Sequence, residues 1–81
     1  MMSSQQRAQG RAEDIERATA AATTLVQDHF DDPEAWVRLA FSEGAVDDQV
    51  YHFDAFGPTL NERPQVLVSF TRGHWLAVLA S

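Results

Sequence analysis

The chain contains no cysteine and no lysine. Without cysteine it has no disulfide framework, no thiolate metal ligand and no cysteine nucleophile. Without lysine it has no Schiff-base amine and no phosphate-loop ammonium. Long apolar runs are missing as well. The longest, Trp75 to Ala80, is six residues, against about 20 for a membrane-spanning helix. Glycine is scarce and scattered: Gly10, Gly44, Gly57 and Gly73 never cluster, which removes a phosphate-cradling loop. Bases are few. Six arginines face 12 acids, for a formal charge of −6. That balance argues against a nucleic-acid footprint and against docking on anionic membranes.

What remains is 81 residues, 44% of them apolar and 22% charged. This is the composition of one small folded domain rather than of a disordered chain. Residues 1–10 (MMSSQQRAQG) are polar and offer nothing to bury, so a flexible N-terminal segment is expected there, followed by a single domain over 11–81. No hydrophobic stretch marks a secretory leader, and the expected compartment is the cytoplasm. A capping box from Ser3 to Gln6 would extend the following helix backwards, but it would place Gly10 inside that helix.

From about Arg11 to Phe30 the pattern is helical. Ile15, Ala18, Ala22, Leu25, Val26 and His29 recur at steps of three and four. The middle of this stripe is alanine, which lets a sheet or a second helix approach closely. Asp31, Asp32 and Pro33 stop it.

Residues 34–44 (EAWVRLAFSEG) fit two elements. As a helix they would have Asp32 as N-cap, Pro33 at the first position and Gly44 as the stop. As a strand, Val37, Leu39 and Phe41 alternate with Trp36, Arg38 and Ala40. The alternation of Val50 to Phe56 favours the strand. A hairpin about the Ser42–Asp48 loop would set Val37 opposite Phe53 and Leu39 opposite Tyr51, with Arg38 facing His52.

Two further strands, Gln65–Thr71 and His74–Ser81, flank Arg72-Gly73. A type I turn with Gly73 in a left-handed bulge position would pair Phe70 with His74, Val68 with Leu76 and Val66 with Val78. The expected fold is therefore α+β, with one N-terminal helix on a four-stranded antiparallel meander. The alternative is two helices followed by three strands.

Both faces of this sheet carry apolar residues, and one helix covers one face. The covered face is expected to hold Val37, Leu39, Phe41, Tyr51, Phe53, Val66, Val68, Phe70, Leu76 and Val78. The open face would then show Trp36, Val50, Phe56, Leu67, Trp75 and Leu79, a patch large enough to call for a partner. A symmetric dimer is the commonest solution. Trp36, Leu67, Arg72, Trp75 and Leu79 are the expected contact residues, since tryptophan and arginine concentrate at interface hot spots.

Catalytic signals are sparse. His52 and Asp54 share one side of a strand, a spacing that suits two metal ligands or a carboxylate-oriented histidine. A third ligand would have to come from His74 or Glu43. The simpler reading is a polar cluster with Arg38, so no metal and no cofactor is expected. His29 reads as a helix C-terminal cap. Ser42, Ser69 and Thr71 lack a glycine-flanked elbow. Asp28, Asp31, Asp32 and Glu34 lack the spacing of a calcium loop.

The expected function is a small acidic, non-enzymatic interaction or regulatory module, homodimeric through the second face of its sheet. One alternative is a protein of the antitoxin, immunity or secretion-chaperone kind that masks a basic surface on its partner. A small metal-dependent enzyme using His52 and Asp54 is the third reading.

Overall fold

A computed structural model describes residues 4–45 and 48–80, with side chains described from residue 12 onward. Helix α1 (Ser4–His29) is followed by strands β1 (Trp36–Ala45), β2 (Asp48–Phe56), β3 (Gln65–Thr71) and β4 (His74–Ala80). The strands pair in the order β1-β2-β3-β4, each antiparallel to its neighbour. This is the α+β meander expected from the alternation of the sequence. Residues 36–45 form a strand, so the reading with two helices does not hold.

Helix α1 begins earlier than the expected start at Arg11, and Gly10 lies inside it. A glycine there costs about 1 kcal/mol relative to alanine but does not break a helix whose flanking glutamines, arginine and alanine are good formers. The Ser3–Gln6 capping box lies outside the described residues. One face of α1 packs on the sheet: Ala18, Ala22 and Val26 are fully buried, with Ile15 and Leu25 beside them. The small alanines bring the helix close to Phe53, Val66 and Val68, which are also fully buried.

The helix ends in a left-handed residue that is not glycine. Asp31 has φ 50°, and the Asp32 N–H donates to the Gln27 carbonyl at 3.0 Å, the long bond of a Schellman cap. Asp-Pro then opens a tight turn instead of a second helix. The Ala35 N–H donates to the Asp32 carbonyl at 3.1 Å, with Pro33 in the turn position that suits its fixed φ. The Asp-Pro signal serves either element, and the strand alternation after it decides.

Two registers differ from expectation. Val37 lies opposite Ala55 and Leu39 opposite Phe53, two residues along from the expected pairing. The strands also continue to Ala45 and Asp48, so the β1–β2 connection is shorter than expected. Between Leu39 and Phe41 the ladder shifts by one residue. This bulge turns Phe41 to the side opposite Leu39, because side chains alternate with period two.

At the β3–β4 hairpin Thr71 pairs with His74, Phe70 with Trp75, Val68 with Ala77 and Val66 with Leu79. Arg72 and Gly73 both have positive φ, 53° and 79°. Two such residues close a two-residue turn whose twist matches the strands, in place of the expected three-residue loop. A slip of one residue exchanges the faces of a strand. Trp75, Ala77 and Leu79 therefore pack toward α1, and Leu76 and Val78 face away.

Candidate functional site

The face of the sheet turned away from α1 is built in cross-strand rows. Trp36 sits beside Phe56 at one end. Arg38, Asp54, Gln65 and Ala80 form the next row, followed by Phe41, His52, Leu67 and Val78. Glu43, Val50, Ser69 and Leu76 form the row after that. Among the described residues no other element lies over this face. Trp36, Phe41, Leu76 and Val78 remain 51%, 53%, 52% and 45% exposed. Four large apolar side chains half exposed on one continuous face form a patch, not scattered singles.

The aromatic groups on this face are held by one another. The Trp36 and Phe56 rings stack with centroids 4.4 Å apart. The Arg38 and Arg63 guanidinium carbons lie 5.2 and 5.3 Å from the centre of the Phe56 ring, within reach of its quadrupole. Phe41 stacks on His52 at 4.1 Å, a contact that exists because the bulge brings Phe41 to this side.

The polar groups here have partners. Arg38 lies 3.9 Å from Asp54, and His52 Nε2 lies 2.8 Å from Glu43 Oε1. His52 and Asp54 do share a face, but each meets a different partner. Among the described residues no three His, Asp or Glu side chains converge as a metal site would require. His74 lies in the row of Thr71, beyond Ser69 and Leu76. His29 ends α1 and meets Phe30 edge-on at 4.8 Å.

Of the expected contact residues, Trp36 and Leu67 lie on the open face and Arg72 occupies the exposed hairpin turn. Trp75 and Leu79 do not: the two-residue turn places them on the helix side, packed against the core. Phe41, Leu76 and Val78, expected on the covered side, take their place. The bulge has no sequence marker, so nothing could have moved Phe41. The Arg72-Gly73 pair admits both turn types.

The best-satisfied charge lies elsewhere. Asp32 is 4% exposed. Its Oδ1 accepts from the Glu34 N–H at 3.0 Å, and its Oδ2 from the Thr59 N–H at 3.2 Å and the Thr59 hydroxyl at 2.9 Å. Burial pushes its pKa up, but these donors outweigh it and hold the carboxyl below its ordinary value. Asp32 thus ties the exit of α1 to the β2–β3 loop and reads as structural. Gly57 permits this contact, since a Cβ there would sit 2.7 Å from Asp32 Oδ2.

No helix among the described residues is long and apolar enough to cross a membrane. Comparison with protein-family models, curated proteins and solved structures finds no match.

Proposed function

We propose that this protein is a non-enzymatic interaction module that self-associates through the open face of its sheet. The observation that carries the reading is the half-exposed set Trp36, Phe41, Leu76 and Val78 on one continuous surface. A second copy is favoured as occupant by the distribution of charge. The acids Glu13, Asp14, Glu16 and Asp28 lie on α1, and Asp31, Glu34 and Glu62 lie in turns. On the open face Arg38 is paired with Asp54, and Glu43 is hydrogen-bonded to His52. A face with apolar groups along both edge strands, Leu67 and Val50 between them and little unpaired charge fits its own copy across a two-fold axis. Two such faces would stack about 10 Å apart as a sandwich with the helices outside. The gain in burial also answers the marginal core of a chain this short. The proposed setting is the cytoplasm.

A partner with a basic surface is the competing reading, and its support is the net charge alone. Light scattering across a range of concentration and salt separates the two. Self-association predicts twice the 9.0 kDa chain mass, largely indifferent to salt. A chain that stays monomeric at high micromolar concentration, and captures a basic protein only at low salt, removes the dimer in favour of the competitor.

A further inference from the structure

The open face carries a histidine on one of its inner strands. His52 lies on β2 in the row of Phe41, Leu67 and Val78, and its side chain is 16% exposed. Its Nε2–H donates to Glu43 Oε1 at 2.8 Å. A carboxylate only accepts, so this bond keeps a proton on Nε2 whether the ring is neutral or charged. Phe41 stacks on the same ring at 4.1 Å, with the planes inclined by 14°. Two neighbours on β1 thus hold the imidazole, one by its edge and one by its face.

The charges around this ring come from β1 and from β2 itself. Strand β1 brings Glu43, whose side chain is 62% exposed, and Arg38. Along β2, Asp54 follows on the same face and lies 3.9 Å from Arg38, while Asp48 stands beyond Val50 at the far end. Strand β3 sets Gln65, Leu67 and Ser69 along this face, and none of them ionises. Strand β4 pairs with β3 and not with β2; its His74 stands in the end row with Thr71. Arg38 and Asp54 balance each other. Glu43 is balanced only while His52 is protonated, and histidine changes its charge between about pH 5 and 8.

We propose that His52 and Glu43 make self-association pH-dependent, with acid tightening the dimer; this rests on self-association through the open face. In the separate chain the exposed Glu43 carboxylate is hydrated and gains little from a charge on its partner. A second sheet laid on this face takes water from both groups. With a neutral imidazole the interface encloses an unbalanced carboxylate, the costlier burial. With an imidazolium it encloses a hydrogen-bonded pair of zero net charge, and the Phe41 ring adds its attraction for a cation. Desolvation of the imidazolium opposes this. That opposing effect is the smaller one, because the His52 side chain is already largely covered in the separate chain whereas Glu43 is not. The proton is therefore held more strongly in the dimer, and by linkage the dimer is favoured as pH falls. The two-fold doubles the effect, since each copy brings one such pair.

The test is the dimer dissociation constant of the intact chain, measured by sedimentation equilibrium between about pH 8 and pH 5.5. Sodium chloride at about 0.3 M screens the exposed acids of α1 and the turns, and the carboxylates stay ionised over this range. The wild-type Kd should fall about tenfold from the alkaline to the acid end. His52→Gln and Glu43→Gln should each hold the change below about twofold, with an unchanged circular dichroism spectrum. Glu43 is exposed on an edge strand, so its variant reads the pair without disturbing the core. His74→Gln removes a titrating group from the end of the same face and should keep the full gain, which separates the pair from a general loss of negative charge. A wild-type Kd that is flat or rises in acid overturns the proposal. So does a gain that survives either His52→Gln or Glu43→Gln, or one that His74→Gln abolishes. A chain that is monomeric at every pH removes self-association itself and this proposal with it, whereas a dimer indifferent to pH removes the proposal alone.

Discussion

Asp31 and Asp32 are adjacent and identical in chemistry, yet their tasks are opposite. Asp31 contributes a backbone conformation: it holds φ 50° so that the Asp32 N–H can reach back to Gln27. Aspartate tolerates the left-handed region better than most residues, but glycine enters it without steric penalty. Asp31→Gly should therefore raise the thermal midpoint by about 2–4 °C, from a gain of about 0.5 kcal/mol. Asp32 contributes a carboxylate. Its folded pKa is depressed, so its stabilisation is present above the ordinary carboxylate pKa and is lost as pH falls through the folded value. Urea midpoints at pH 7 and in acid should show a gap between wild type and Asp32→Asn that is wider at neutral pH and narrows as pH falls. A gap that stays constant would remove the charge from the account. Gly57→Ala attacks the same knot from the other side. With Leu60 Cδ1 at 3.0 Å and Ala35 Cα at 3.2 Å from its new methyl, it should cost about 1–3 kcal/mol in urea unfolding.

The elements themselves were legible, and their faces were not. Alternation in Val50–Phe56 and Gln65–Thr71 identified two strands, and the alanine stripe of α1 identified the surface that packs on them. Which side Phe41 and Trp75 occupy depends on single-residue events that periodicity does not record. One is the bulge between Leu39 and Phe41. The other is the choice of a two-residue turn at Arg72-Gly73. Where one face of a strand is clearly polar, the pattern itself fixes the register. In β4 both sides are apolar, so the turn decides. Both events are testable. Arg72→Asn supplies the side chain that two-residue turns of this kind favour and should stabilise the fold by about 0.5 kcal/mol. Deleting Ala40 removes the extra residue and makes Phe41 the direct neighbour of Leu39, so alternation alone keeps Phe41 opposite His52 without a bulge. The ring-current shift on the His52 ring protons should then persist; its disappearance would show that the extra residue is not what turns Phe41 to this face.

For the whole molecule, the imbalance between one helix and a two-faced sheet is the governing fact. Alpha1 covers Phe53, Val66 and Val68 completely, while Phe41, Leu76 and Val78 stay about half exposed on the reverse. The sequence already carried that imbalance, although five of the residues on which it depends changed sides. An exchange of Trp75 and Leu79 for Phe41, Leu76 and Val78 leaves an apolar face in either case. The most direct measurement is sedimentation equilibrium of wild type and Val78→Glu at high micromolar concentration. Val78 ends the row of Phe41, His52 and Leu67 on the edge strand β4 and is 45% exposed, so a glutamate there can be carried by a folded monomer, whereas burying its charge in a sheet-to-sheet interface is strongly unfavourable. The prediction is a wild-type mass twice that of the chain, and a Val78→Glu mass equal to it with unchanged circular dichroism. A monomeric wild type at that concentration, or a dimer that survives the substitution, would contradict it.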